Sequence, residues 1–326
     1  MTPTAPETTR NILAADIGGT NSRFGHFTLS PAGVLELAAT AWLPTASVGS
    51  FIELITCLPD AGFPLRPDAV DAAVFAVPGA VIGRSVTFAN IGWELDLDAL
   101  QSLFGPARIA CINDFLAQAH GCRLLGDTAE IVRPGDMNPH QVQAVIGAGT
   151  GLGKAALIPV DDRGYHVLPS EGGQTAASFT GKTETAFAEA LCRATGEQYV
   201  RGDSVVSGSG LTHLHRFLTG QNLSPPEISA ALTPDSETAA LFARFYGRAV
   251  RDYALTMLAV GGVYVSGGVA AKNPLLVRHP EFSREFLDSP TYGRLLAQIP
   301  VRLVRDERTG LFGAARYAQT LLTQAS

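Results

Sequence analysis

The chain has 326 residues, 46% of them hydrophobic and 17% charged, which is enough for two domains with separate cores. A net charge of −6 argues against a nucleic-acid or anionic-membrane surface. The four cysteines (Cys57, Cys111, Cys122, Cys192) form no Cys-x-x-Cys pair, which indicates neither structural zinc nor a disulfide framework and suits a cytoplasmic protein.

The opening MTPTAPETTR lacks an apolar signal core and reads as a loose tail. Ile12–Phe27, ILAADIGGTNSRFGHF, then reads as strand, tight turn, strand. Gly18 and Gly19 permit positive φ and leave backbone N–H groups uncovered for an anion. Thr20 adds a hydroxyl, and Asp16 offers a hard oxygen to hydrated Mg²⁺. A glycine hairpin with a solvated aspartate is the plainer reading of the same residues. A further strand is expected near Val34–Trp42, a helix over Ser50–Leu58, a loop at Pro59–Pro67 and a buried strand over Val70–Val77. Ser85–Asn90 reads as a strand leading to a helix around Leu95–Leu103. Asn90 could orient a ligand hydroxyl and Trp93 could wall a pocket; a turn former and a core aromatic are the alternatives. The strand Arg108–Ile112 ends at Asn113-Asp114-Phe115, where polar residues at a strand's carboxyl end suit ligand binding in an open α/β sheet. Asp114 there can accept a proton from a hydroxyl; an Asn-Asp cap on a helix over Phe115–Leu125 uses the same residues.

Ala144–Val160, AVIGAGTGLGKAALIPV, repeats the first hairpin's grammar. It is not a Walker loop, since Ala148 stands at the first glycine position and Ala155 follows Lys154. Nor is it a Rossmann fingerprint, because Leu152 replaces the third glycine and a strand pattern follows. Two such turns, one opening each half, point to duplicated domains gripping one nucleotide. Helices are expected over Thr183–Thr195, from Arg201-Gly202-Asp203-Ser204 through Val205–Leu218, and over Ser236–Leu258. His213 and His215 sit at i, i+2 on different helix sides, which disfavours a metal site. Gln221–Pro234 reads as an insertion-like loop, and Gly261–Ala271 contains a short buried strand. Gly267-Gly268 serves either a ligand against bare backbone or close strand–helix packing. Asn273–Tyr292 reads as mixed structure that could cover a cleft. A strand over Pro300–Val304 and a helix over Thr309–Thr323 close the chain.

Seven ordered motifs carry a resemblance: Asp16-Ile-Gly-Gly-Thr-Asn-Ser-Arg23, Asn90 with Trp93, Asn113-Asp114-Phe115, Gly147-Ala-Gly-Thr-Gly-Leu-Gly153, Glu171-Gly-Gly, Ser207-Gly-Ser-Gly-Leu211 and Gly261-Gly-Val-Tyr-Val-Ser-Gly-Gly268. From about Leu13 to Leu321 the chain resembles the bacterial glucokinases of the actin-like ATPase superfamily. It lacks the cysteine-rich zinc motif of the related repressor-type sugar kinases. The resemblance implies an α/β protein of two ribonuclease-H-like domains with mixed sheets around a central cleft. Residues 1–113, completed by a helix over 309–326, would form the small domain, and residues 114–308 the large one.

It further implies ATP-dependent phosphorylation of glucose at the 6-hydroxyl, with Asp114 as general base. Asn90, Asn113, Asp114, Glu171, Gln174 and Asp203 would hold the sugar. Asp16, Gly18, Gly19, Thr20, Asn21, Arg23, Gly149, Thr150, Gly151, Gly267 and Gly268 would hold ATP. Asp16 would position Mg²⁺ through water, and a homodimer is part of the family expectation. Gln174 replaces the family's usual histidine, and Asp203 a longer glutamate, so the sugar is the open question. The alternatives are a kinase for another hexose or modified sugar, and a sugar- or nucleotide-binding regulator without turnover.

Overall fold

The computed structural model describes residues 8–83, 85–88, 92–95, 97–160 and 164–323. It contains two compact units, one running to Leu124 and resuming at Arg308, the other Leu125–Glu307.

The first unit has strands β1 (Arg10–Ile17), β2 (Asn21–Leu29), β3 (Leu35–Pro44), β4 (Ala72–Val77), β5 (Gly79–Ile82), β6 (Ser85–Phe88) and β7 (Arg108–Asn113). Its main sheet runs β3-β2-β1-β4-β7, with β1, β2 and β3 an antiparallel meander and β4 and β7 parallel to β1. Strand side chains alternate between faces, and here both faces are buried. Leu13, Ala15 and Ile17 join Phe51, Phe75 and Phe104 on one side. Ile12 and Ala14 join Phe27, Val74, Leu311 and Ala314 on the other. Trp93 is partly buried and packs edge-on against Phe51 at 6.3 Å, at the margin of this core.

The last helix, Thr309–Thr323, supplies that second face. It crosses the helix Asp114–Leu125 at glycines: a Cβ on Gly313 would collide with the Ala117 carbonyl, and one on Gly121 with the Thr309 carbonyl. The helix begun by Asp114 therefore belongs to the first unit. The expected boundary after residue 113 moves to follow Leu124, because the chain leaves the unit only after this crossing.

The second unit has β8 (Glu130–Arg133), β9 (Gln143–Ala148), β10 (Leu152–Pro159), β11 (Tyr165–Ser170), β12 (Gly262–Ser266) and β13 (Val301–Leu303). Their order is β11-β10-β9-β12-β13-β8. Here β9, β10 and β11 are antiparallel, while β12 and β13 run parallel to β9. This is the first sheet's pattern with β8 added antiparallel at one edge. The duplication expected from the two hairpins is thus a duplication of sheet topology.

Three sequence expectations change in this unit. The loop Gln221–Pro234 contains the helix Pro225–Ala231, started by a capping box of Ser224 and Glu227. Asn273–Tyr292 forms the helices Leu275–Arg278 and Pro280–Leu287. Its Phe282 and Phe286 are fully buried in the core around the helix Glu237–Met257, so this segment covers no cleft with them. The helix expected from Arg201 to Leu218 is two helices, Gly202–Val205 and Gly208–Thr219, with Ser207 capping the second through its bond from the Gly210 N–H. The core also encloses an ion cluster. Arg248 Nη1 donates to Glu184 Oε2 at 2.7 Å, and its Nη2 lies 3.2 Å from Glu285 Oε2.

Candidate active site

In the first unit, the turn between β1 and β2 is fixed from outside the hairpin. Thr45 Oγ1 donates to the Gly18 carbonyl at 2.6 Å, and the Thr45 N–H donates to the Thr20 carbonyl at 2.9 Å. Gly18 N–H donates across the turn to the Asn21 carbonyl at 3.1 Å. A Cβ on Gly18 would lie 2.7 Å from that oxygen, whereas one on Gly19 would meet nothing within 4 Å. Neither residue uses the positive φ that glycine permits; close approach at Gly18 is what requires glycine there. No local pattern marked Thr45, which is distant in sequence and brought in by β3.

Asp16 and Arg23 face each other across β1 and β2, with Arg23 Nη1 3.5 Å from Asp16 Oδ2. The guanidinium also stacks over Trp42, 4.6 Å from the ring centre. Burial raises the Asp16 carboxyl above its ordinary value, and the charge and hydrogen bond of Arg23 only partly offset this. The carboxylate faces the start of the last helix, where a Cβ on Gly310 would come within 2.9 Å of Oδ2.

Asn113 and Asp114 sit at the same end of the sheet as Asp16, with β4 between their strands. Two strand spacings put Asn113 about 10 Å from Asp16 across the sheet. Asn113 is the cap: its Oδ1 accepts from the N–H groups of Phe115 at 2.9 Å and Leu116 at 3.1 Å. Its Nδ2 donates to the Gly79 carbonyl at 2.8 Å. Asp114 follows as the first helical residue, half-buried, with Oδ1 2.8 Å from the Phe115 nitrogen. Asn90 lies outside the described residues.

In the second unit, the turn Gly149–Gly151 joins β9 to β10. Tyr246 supports it from the long helix, accepting from the Ala148 N–H at 3.1 Å and donating to the Ser266 carbonyl at 3.4 Å. Gly267-Gly268 lies beside this turn. Gly267 has φ 88°, and a Cβ there would lie 2.6 Å from the Ala148 carbonyl, so conformation and space both require glycine. A Cβ on Gly268 would meet open space.

The Glu171-Gly172-Gly173 loop packs on the start of β10. A Cβ on Gly173 would collide with the Leu152 carbonyl, and Lys154 Nζ donates to the Gly172 carbonyl at 3.0 Å. Glu171 and Gln174 are exposed. Asp203, on the helix Gly202–Val205, reaches the same strand end, and Arg201 joins it to Gln174. Thr150 is carried at the turn's tip between the two glycines. The structure therefore gathers Asp16, Gly18, Gly19, Thr20, Asn21, Arg23, Asn113 and Asp114 at one sheet end. It gathers Gly149, Thr150, Gly151, Gly267, Gly268, Glu171, Gln174 and Asp203 at the corresponding end of the other. Sequence reasoning missed Thr45, Lys154, Arg201 and Tyr246 as supports; only Arg201 had a local signal, two residues from Asp203.

Two units of one topology, each with a glycine turn after its first central strand, define the actin-like ATPase class of fold. A family model described as Glucokinase matches residues 13–321. The chain is 30% identical to the glucokinase of Saccharophagus degradans, over 95% of this chain and 98% of that protein. It is 31% identical to the glucokinase of a Nostoc species, over 95% and 99%. It superposes on a glucokinase from an Antarctic psychrotroph with a TM-score of 0.76 and 26% identity, covering 95% of this chain and 99% of that one. A Balamuthia mandrillaris glucokinase solved with glucose shares the fold at a TM-score of 0.80 and 19% identity, over 97% and 96%. The chain belongs to the glucokinase family, whose reaction is the phosphorylation of glucose by ATP.

Proposed function

We propose that Asp114 is the general base of this glucose kinase. In this reading its carboxylate takes the proton of the 6-hydroxyl as that oxygen attacks the γ-phosphorus in line. The new O–P bond forms as the bond to the β-phosphate bridging oxygen breaks, giving glucose 6-phosphate and ADP. Little covalent chemistry falls to the protein, so positioning and charge stabilisation carry the rate. The observation that carries the reading is the placement of Asp114: half-buried, first in its helix, and held there by an Asn113 cap that is itself anchored to Gly79.

Asn113 has one amide hydrogen beyond its bond to Gly79 with which to meet a sugar hydroxyl. Glu171, exposed on a loop pinned by Lys154, is the sugar acceptor of the second unit. In the first unit Gly18, Gly19 and Thr20 offer backbone and hydroxyl donors suited to phosphate oxygens, and in the second unit Gly149, Thr150 and Gly151 offer the same. Gly268, with open space above its Cα, suits close approach of the adenosine.

Mg²⁺ fits the residues present. Asp16 places one carboxylate beside the first turn, paired with Arg23 at 3.5 Å. Mg²⁺ in nucleotide sites keeps several waters and takes few carboxylates. It would neutralise phosphate charge, with Asp16 holding one of its waters.

The test is ADP release from ATP with glucose and a panel of other hexoses. Glucose-selective turnover is expected, and Asp114→Asn should lower kcat at least about 10²-fold while leaving glucose binding within a few-fold. Near-normal turnover in that variant would remove Asp114 from the role. Turnover of another hexose in preference to glucose would move the specificity question to Gln174, which stands where the family's histidine is usual.

A further inference from the structure

Gln174 and Asp203, the two departures from the family pattern, converge on Arg201. Arg201 Nη1 donates to Gln174 Oε1 at 2.5 Å and lies 3.9 Å from Asp203 Oδ2. Its Nη2 donates to Glu197 Oε1, and Glu197 Oε2 accepts from Ser204 Oγ at 3.3 Å. The other oxygen of Asp203, Oδ1, accepts from the Leu152 N–H at 2.5 Å, at the first residue after the Gly149–Gly151 turn. A Cβ on Gly151 would collide with this carboxylate, so the glycine is what admits it. Five residues on, the Gly208 N–H donates to the Gly149 carbonyl at 2.9 Å. Residues 203–208 thus hold the turn at both ends.

We propose that Asp203 is a positioning residue for the Gly149–Gly151 turn, not a sugar ligand, and that Arg201 holds it there. The proposal rests on the reading that this turn takes the phosphates of ATP. One carboxylate oxygen is committed to a backbone N–H and the other faces a guanidinium. A carboxylate beside a phosphate turn would ordinarily repel the ligand, and Arg201, shared between Asp203 and Glu197, offsets part of that repulsion. The same guanidinium takes the carbonyl oxygen of Gln174, which leaves the Gln174 amide hydrogens as the donors available to a sugar. Arg201 thereby ties the loop after Glu171 to the support of the phosphate turn.

The experiment measures KM for ATP and for glucose, together with calorimetric binding of adenylyl imidodiphosphate without sugar. Asp203→Ala should raise the ATP KM and the analogue Kd about tenfold while the glucose KM stays within about threefold. Asp203→Asn keeps an acceptor for the Leu152 N–H and should recover most of the loss. Arg201→Ala should raise the ATP KM, because the carboxylate is then uncompensated. A tenfold rise in glucose KM with unchanged nucleotide binding would overturn the proposal, as would no change in either. If melting curves show that Asp203→Ala is unfolded, Asp203→Asn decides: a sugar ligand loses glucose affinity there, a turn clamp does not. Should the wild type fail to phosphorylate glucose, the kinase reading falls, and the analogue titration still judges the clamp.

Discussion

At Asn113 a single side chain closes a strand, starts a helix and places the proposed base. Its oxygen serves two helical N–H groups, and its nitrogen holds Gly79 at the start of β5. Removing a cap of this kind costs about 1 kcal/mol. Asn113→Ala should therefore lower unfolding free energy by about that amount and reduce kcat, since Asp114 begins the unsupported turn. Asn113→Asp keeps the cap and loses the donor to Gly79, so it should be the more stable variant. Denaturant titration beside turnover checks both, and an alanine variant with wild-type stability would contradict the capping role. The motif Asn-Asp-Phe was legible in the sequence as cap or ligand. Which residue caps was not, because either side chain can do so and the helix start shifts by one residue between the two readings. Asp203 shows the same difficulty: its partner, the Leu152 N–H, is 51 residues away.

Elements were legible where one chemical period ran through them. The hairpins, the last helix and the long helix over Glu237–Met257 stand where periodicity put them. The helix Pro225–Ala231 was hidden because two prolines read as loop, although they occupy the first helical positions, where the missing N–H costs nothing. Phe282 and Phe286 looked like cleft aromatics because only the packed helix Glu237–Met257 reveals their burial. The crossing of Asp114–Leu125 with Thr309–Thr323 was likewise invisible, and it carries a pH dependence. His120 is buried there, edge-on to Tyr317, with burial first and then the charge of Arg316 lowering its pKa to about 4. An unfolded histidine titrates near 6.5. The unfolded chain therefore takes up the proton first, and stability present above about pH 6.5 is lost as pH falls toward 4. The melting temperature should drop across this window, and His120→Gln should flatten that drop. An equally steep profile in the variant would place the acid sensitivity elsewhere.

Across the whole molecule, the repeat of one sheet topology makes the glycine turns equivalent, and it gives the two units unequal chain economies. The second unit is a continuous stretch, Leu125–Glu307. The first is built from two segments, and the later one is almost entirely the helix Thr309–Thr323. Leu311, Ala314, Ala315 and Ala318 are fully buried, and with them Ile12, Ala14, Phe27, Val74 and Ala76 form one core face. Burying a leucine side chain contributes about 2 kcal/mol, and a domain's net stability is only about 5–15 kcal/mol. A chain ending at Glu307 would uncover the centre of the first sheet, at β1 and β4, while leaving the second core covered. Hydrogen exchange on that truncated chain should show lost protection over β1 and β4 and retained protection over β9 and β12. Full protection of β1 and β4 without the helix would mean that the face is closed by other contacts. Loss in both units would mean that the second core depends on the first.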